Sequence, residues 1–460
     1  MTREPSFSVR GRRVTVVGAA RSGVAAAELL VRRGASVTLT DTRSTIDEEH
    51  ALRSAGVRLA LGGHEPAVFA RADLIVLSPG VPSDLPEIQA ARAAGIQVMG
   101  ELEMASRWLR GRIVAITGTK GKSTTTTLTG RMLEAGGHHV LVGGNIGYAL
   151  SAQVDESTAN TIHVIEASSF QLESIEMFRP WIAVLLNFSP DHLDRHSTVE
   201  EYAAAKSRIF VNQTAADWAV LNADDESVGR MAAEAASRRL PFSMTDSLAS
   251  GVLVQGDAIV RRTAEGDRAL VPLASIRLLG RHLIADVLAA SAVASLAGVD
   301  AEAMTRAVEG FTGLEHALEP VTEFGGVTFV NDSKATNIEA ARRAIESFES
   351  LVVILGGRFK GGDFADLRDL LAARHASVVA IGEARQRVRD ALGGAVPVHD
   401  AVDMNGAVRT AFASAAPGAT VVLAPACASF DMFRDYAERG RVFKQEVLRL
   451  EEEWNSAREQ

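Results

Sequence analysis

Short apolar runs without alternation, each followed by residues at helical spacing, recur along most of the chain. Val14–Val17 leads into Gly18, Val24–Arg33 reads as a helix closed by Gly34, and Ser36–Thr40 and Leu74–Leu77 are the next strands. Strands apolar on both faces belong to a parallel sheet covered by helices on both sides. The order predicts right-handed βαβ crossovers and a doubly wound sheet. The pattern restarts at Arg112, with strands at Ile113–Ile116, Ile162–Ile165, Ile182–Leu186 and Trp218–Leu221. It restarts again near Val327, with strands at Val327–Val330, Leu351–Leu355, Val378–Ile381 and Thr420–Leu423. Gly251–Val260 has a hairpin signature, so a small β insertion is expected near residues 250–278. An amphipathic helix over Ser429–Leu450 ends the fold. The reading is α/β with three domains, 1–100, 101–313 and 314–460.

Composition narrows the function classes. A net charge of −9 argues against a general nucleic-acid binder, whose phosphate contacts need a basic face. An apolar fraction of 47% excludes disorder as the dominant state. Cys427 is the single cysteine, so neither an intrachain disulfide nor a cysteine-based zinc site can form. The first eleven residues lack the apolar core of a secretion signal. Leu283–Val299 contains Asp286 and two serines, which reads as a buried helix and not as a membrane span. A cytoplasmic monomer without nucleic-acid partner is the expectation.

The candidate chemistry lies where strands end. Gly18-Ala-Ala-Arg21-Ser22-Gly23 joins a strand to a helix, where backbone N–H groups and the helix dipole favour a phosphate; a generic tight turn reads equally well. Asp41 ends the next strand, near the usual spacing for a ribose-contacting acid. Gly118-Thr119-Lys120-Gly121-Lys122-Ser123-Thr124 is not a full Walker A, because Ile116 stands five before Gly121. Its Gly-Lys-Ser tail nevertheless supplies amides for phosphate oxygens, a lysine cation and a hydroxyl for Mg²⁺. Glu166 ends a strand, as a Mg²⁺ carboxylate would or a solvated surface residue. Asp191, His192, Asp194, Arg195 and His196 crowd one strand exit, where Asp191 and His192 suggest metal or phosphate contact; the alternative is a polar loop with a cap at Ser197. From the capping pattern Ser197–Glu200 onward, Tyr202, Lys206, Ile209 and Phe210 share one helix face. A lysine in an apolar stripe either snorkels or is neutralised by burial, and a neutral amine can add CO₂.

Together these motifs resemble the Mur ligase family, three-domain ATP-dependent amide ligases of peptidoglycan synthesis. Asp41-Thr42-Arg43, Ser78-Pro-Gly80, Gly144-Asn145-Ile-Gly147 and Asn331-Asp332-Ser-Lys334-Ala-Thr336 look like those of its D-glutamate-adding members. The resemblance implies a Rossmann-like N-terminal domain, a P-loop ATPase-type central domain and a Rossmann-like C-terminal domain. It implies ATP, UDP-N-acetylmuramoyl-L-alanine and D-glutamate as substrates, joined through an acyl phosphate. Gly18, Arg21, Ser22, Gly23, Asp41, Thr42, Arg43, Ser78, Gly80, Asn145, Gly147 and His192 would bind the UDP substrate. Gly118–Thr124, Asp332 and Lys334 would bind ATP, and Thr336, Lys360, Ser429 and Tyr436 would form the D-glutamate pocket. Ser123 and Glu166 match ligands of one Mg²⁺; His192 and a carbamylated Lys206 match those of a second. Lys122, Glu166, His192 and Lys206 would be the catalytic set. Two places depart from the family pattern, both at nucleotide contacts: Leu283 and Asp286 stand where asparagines are usual, and Ala317 follows His316 where arginine is usual. A Mur ligase adding L-alanine or the third residue is the alternative within the family. A folylpolyglutamate synthetase lacks the nucleotide-like first unit. A non-catalytic nucleotide-binding module would need only the phosphate loop, not Glu166, His192 and Lys206.

Overall fold

The computed structural model describes residues 7–191, 195–196, 198–245, 248–277, 283–311 and 313–458. These fall into two compact units, one of residues 7–276 with 283–310 and one from residue 311 onward. The α/β expectation holds in both: three sheets, largely parallel, with helices between the strands.

The first sheet has five parallel strands, Arg13–Val17, Ser36–Asp41, Arg58–Leu61, Leu74–Leu77 and Gln97–Gly100. Arg13–Val17 is central, flanked by Ser36–Asp41 and Leu74–Leu77. The chain reverses direction of growth there, and the crevice beyond the carboxyl ends of such strands is where α/β sheets bind ligands. Gly18, Asp41 and Ser78 all stand at those ends. Helix Arg21–Arg32 follows the first turn and buries Ala26, Ala27, Leu29 and Leu30. Gly23 is needed for its closeness: a Cβ there would lie 1.8 Å from the Gly18 carbonyl oxygen.

In the nine-stranded second sheet, Arg112–Thr117 runs between Ile182–Leu185 and Thr161–Glu166, all parallel. Their carboxyl ends bring the loop at Gly118, the segment at Asn187 and Glu166 to one edge. The expected β insertion is an antiparallel meander, Gly251–Gln255, Ala258–Thr263 and Gly266–Pro272. Helix Leu283–Leu296 is buried nearly all round, as its composition predicted. No helix among the described residues is long and apolar enough to cross a membrane.

In the second unit, Val327–Asn331, Thr420–Leu423 and Leu351–Gly356 lie side by side in a six-stranded sheet. Its edge strand Glu319–Phe324 is the antiparallel one. The last helix spans Tyr436–Arg458, so the expectation that it begins at Ser429 is wrong. The Ser429 carbonyl instead accepts from the N–H groups of Met432 and Phe433 in a turn. Asp435, whose carboxylate accepts the Glu438 N–H at 2.7 Å, marks the true start.

One buried carboxylate ties the first two sheets together. Glu103, on helix Glu101–Ser106, is fully buried and accepts N–H groups of Glu176, Met177 and Phe178 while pairing with Arg107 at 2.7 Å. Replacing one oxygen by an amide NH₂ turns a donor toward donors. Glu103→Gln should therefore cost about 3 kcal/mol in urea unfolding, as breaking a buried, hydrogen-bonded ion pair does. Glu176→Gln, which removes only the exposed partner of Arg107, should cost at most about 1 kcal/mol.

Candidate active site

Glycine geometry shapes the phosphate loop. Gly118 and Gly121 have φ of +155° and +80°, and a Cβ on Gly121 would lie 2.2 Å from Asp286 Oδ1. Asn187 staples the loop: its Oδ1 accepts the N–H groups of Thr119 at 3.1 Å and Lys120 at 2.9 Å, and its Nδ2 donates to the Lys120 carbonyl. Helix Lys122–Ala135 follows directly, so its first-turn N–H groups face the loop. Lys122 Nζ folds back onto the carbonyls of Gly118 and Thr119, at 3.1 and 2.9 Å. Lys120 Nζ meets Asp191 at 3.1 Å.

Beside the loop, Ser123 Oγ donates to Glu166 Oε2 at 2.7 Å, and Asn145 Nδ2 donates to Glu166 Oε1 at 2.7 Å. The strand-end glutamate is thus buried against the loop and is not a solvated surface residue. A hydroxyl and one carboxylate are hard oxygen donors, the sparse protein set that suits Mg²⁺ shared with phosphates. No cluster of three His, Cys, Asp or Glu that could hold a metal occurs among the described residues. His192 lies outside them, as does Ser197; the helix over Val199–Ser207 is capped by Thr198, whose hydroxyl accepts the Glu201 N–H.

Lys206 does not snorkel. It is 1% exposed, and its Nζ donates to the Gly118 carbonyl at 2.7 Å and lies 4.6 Å from the centre of the Tyr202 ring. Burial, then the neighbouring Lys122, push its pKa down to about 6, while Asp191 and Glu166 pull the other way. Near neutral pH this amine is mostly uncharged.

A cavity of about 540 Å³ opens between the first two sheets, lined by Gly18, Arg21, Ser22, Asp41, Thr42, Arg43, Ser78, Gly80, Asn145 and Gly147 among others. Its size suits a drug-sized or nucleotide ligand. Ten of the residues proposed for the UDP substrate meet there; Gly23 does not, being buried beneath the turn. The carboxylate of Asp41 accepts from the Arg43 side chain and from the N–H groups of Arg43 and Ala19, and the Arg43 guanidinium holds it well below the usual carboxylate range.

In the second unit, Thr336, Lys360 and Ser429 stand on the three loops that leave the adjacent central strands. Arg358 and Ala428 exchange backbone hydrogen bonds, joining the Lys360 loop to the Ser429 turn, and Ser333 Oγ donates to the Tyr436 carbonyl. Lys360 is exposed, Thr336 half-buried and Ser429 buried. Asp332 is buried at the end of its strand, where desolvation pushes its carboxyl up to about 7 despite the Leu318 N–H; Lys334 follows it. His316 is buried with φ +66°, its Nδ1 lying 2.9 Å from Asn331 Nδ2.

Sequence reading missed Asn187 as the loop's staple, Asp286 as its neighbour, and Tyr202 as the ring beneath Lys206. Only the helical spacing of Tyr202 and Lys206 signalled any of this; the other pairings span strands distant in sequence.

Residues 12–100 match the family model of the Mur ligase MurD-like N-terminal domain, 116–294 the Mur ligase middle domain, and 318–427 the Mur ligase glutamate ligase domain. A UDP-N-acetylmuramoylalanine–D-glutamate ligase of Acidobacterium capsulatum is 49% identical over 96% of this chain and 97% of its own length. One of Koribacter versatilis is 45% identical over 97% and 99%. Among solved structures, a UDP-N-acetylmuramate-alanine ligase of Thermotoga maritima shares the fold at a TM-score of 0.60 and 18% identity, covering 95% of this chain and 99% of that one. With sequence identity this high over nearly its whole length, the chain belongs to the Mur ligase family.

Proposed function

We propose that the protein is an ATP-dependent ligase that adds D-glutamate to UDP-N-acetylmuramoyl-L-alanine, a step of peptidoglycan precursor synthesis. The observation that carries the reading is the convergence of Lys122, the Ser123–Glu166 pair and buried Lys206 on one phosphate loop. The name borne by the similar ligases supports the choice of substrates. In this reading 1–100 binds the UDP substrate, 101–313 binds ATP and 314–460 binds D-glutamate.

A carboxylate is a poor acylating agent until one oxygen becomes a leaving group. The loop amides and Lys122 hold the γ-phosphate of ATP for transfer to the alanyl carboxylate, giving ADP and an acyl phosphate. The D-glutamate amine then attacks the acyl carbon, and phosphate leaves from the tetrahedral intermediate. Mg²⁺, when bound, supplies positive charge where phosphate and carboxylate anions meet. Ser123 and Glu166 would hold one ion; His192 and Lys206 would hold a second. An ammonium cannot ligate a cation, so Lys206 serves as a carbamate: its neutral amine adds to CO₂ and releases a proton. Asp332 and Lys334 would reach the nucleotide, and Thr336, Lys360, Ser429 and Tyr436 would hold D-glutamate.

Lys122→Ala should fold normally and lose turnover by at least about a thousandfold, because no other loop cation replaces its charge at the γ-phosphate. D-glutamate-dependent phosphate release checks this. Lys206→Arg keeps a cation but cannot form a carbamate, so it should lose most activity, and stripping CO₂ should lower wild-type activity. Protonation blocks CO₂ addition, so at a fixed concentration of dissolved CO₂ stripped enzyme should regain activity rapidly at pH 8 and progressively more slowly as pH falls through about 6. Equal restoration at pH 5 and 8, or wild-type turnover by Lys206→Arg, would remove the carbamate from the reading. Lys360→Ala should raise the KM for D-glutamate about tenfold or more, the worth of a charge-assisted contact, with little change for the UDP substrate.

A further inference from the structure

Arg195 has no role in the chemistry above, yet it spans two parts of the site. Its guanidinium donates to the carbonyls of Gly80 and Val81, at 3.2 and 3.5 Å, on the turn that carries Ser78 and lines the nucleotide-sized cavity. The same guanidinium lies 4.6 Å from the centre of the Phe170 ring. Phe170 stacks on the His196 imidazole, with centroids 5.3 Å apart and planes 10° from parallel. His196 is 5% exposed; Ser169 Oγ lies 3.0 Å from its Nε2, and Glu173 Oε1 lies 3.3 Å from its Nδ1. Its ring meets Tyr202 at 5.1 Å, and the Tyr202 ring lies beneath Lys206 Nζ. A continuous column of planar groups therefore runs from the Ser78–Val81 turn to Lys206, which lies against the phosphate loop. Planar groups held face to face or edge to face by buried neighbours shift together or not at all.

We propose that Arg195 is a positioning residue that sets the Ser78–Val81 turn at a fixed distance from Lys206, acting through Phe170, His196 and Tyr202. The role rests on the ligase reading, in which the turn holds the UDP substrate and Lys206 faces the reacting groups. Arg195 is suited to it because one flat guanidinium can stack on a ring and donate to two carbonyls at once.

Steady-state kinetics of the full-length protein test the column. Arg195→Ala should raise the KM for UDP-N-acetylmuramoyl-L-alanine and lower kcat, each about tenfold, while the KM for ATP stays within about twofold. Arg195→Lys should not restore either, since an ammonium cannot stack and bridge together. His196→Leu alters the ring between Phe170 and Tyr202, and it should give the same split between substrates. A general loss of structure would instead lower apparent kcat and leave the KM for the UDP substrate unchanged. Arg195→Ala and Tyr202→Leu alter residues that do not touch; in the double variant the kcat loss should match the worse single variant and not the product of the two. Multiplying losses, or an unchanged KM for the UDP substrate in Arg195→Ala, overturn the column while leaving the ligase reading intact. A wild-type protein that releases no D-glutamate-dependent phosphate overturns both.

Discussion

A buried amine against a loop built for anions is the constraint on which the site depends. Lys206 cannot reach water, and its hydrogen-bond acceptor is the Gly118 carbonyl of that same loop. Lys120 and Lys122 stand close enough to disfavour a third positive charge. Asp191 and Glu166 offset those charges from within the protein. A loop so arranged is poised for anionic ligands and poorly suited to neutral ones. The sheet makes this possible, because parallel strands all deliver their carboxyl ends, and the N-termini of the following helices, to one edge.

The features legible in the sequence were those written locally. The strand, glycine loop and helix around Gly118–Thr124 declare themselves over a dozen residues, and Glu166 ends a run that reads as a strand. Helical spacing put Lys206 on an apolar face. What spacing cannot decide is depth: snorkelling and full burial have the same pattern, and they differ only in what covers the face. Tyr202 and the loop at Gly118 cover it, and the loop comes from a strand some ninety residues earlier in the chain.

The misreadings have similar causes. Amphipathic spacing continues backward from the last helix to Ser429, but the Ser429 turn and the Asp435 cap interrupt it, and both are backbone events that periodicity does not register. Gly23 lacks a side chain because the helix packs closely on Gly18, a close approach that the sequence spacing does not show. Arg195 and His196 sat in a segment read as a polar cluster, although both lie on an aromatic ring. Their stacking depends on Phe170, which sequence alone left without a role.

Glu103 bears on where the chain can be divided when its N-terminal part is exchanged as a module. The carboxylate sits just beyond the last strand of the first sheet, while its three N–H donors belong to the loop before Ile182–Leu185 in the second. A chain cut after the helix Glu101–Ser106 leaves a buried anion in one fragment and its orphaned donors in the other, whereas a cut before it keeps them together. Transplanting the N-terminal domain between relatives therefore carries a condition that its fold alone does not reveal: the junction helix must travel with a matching loop.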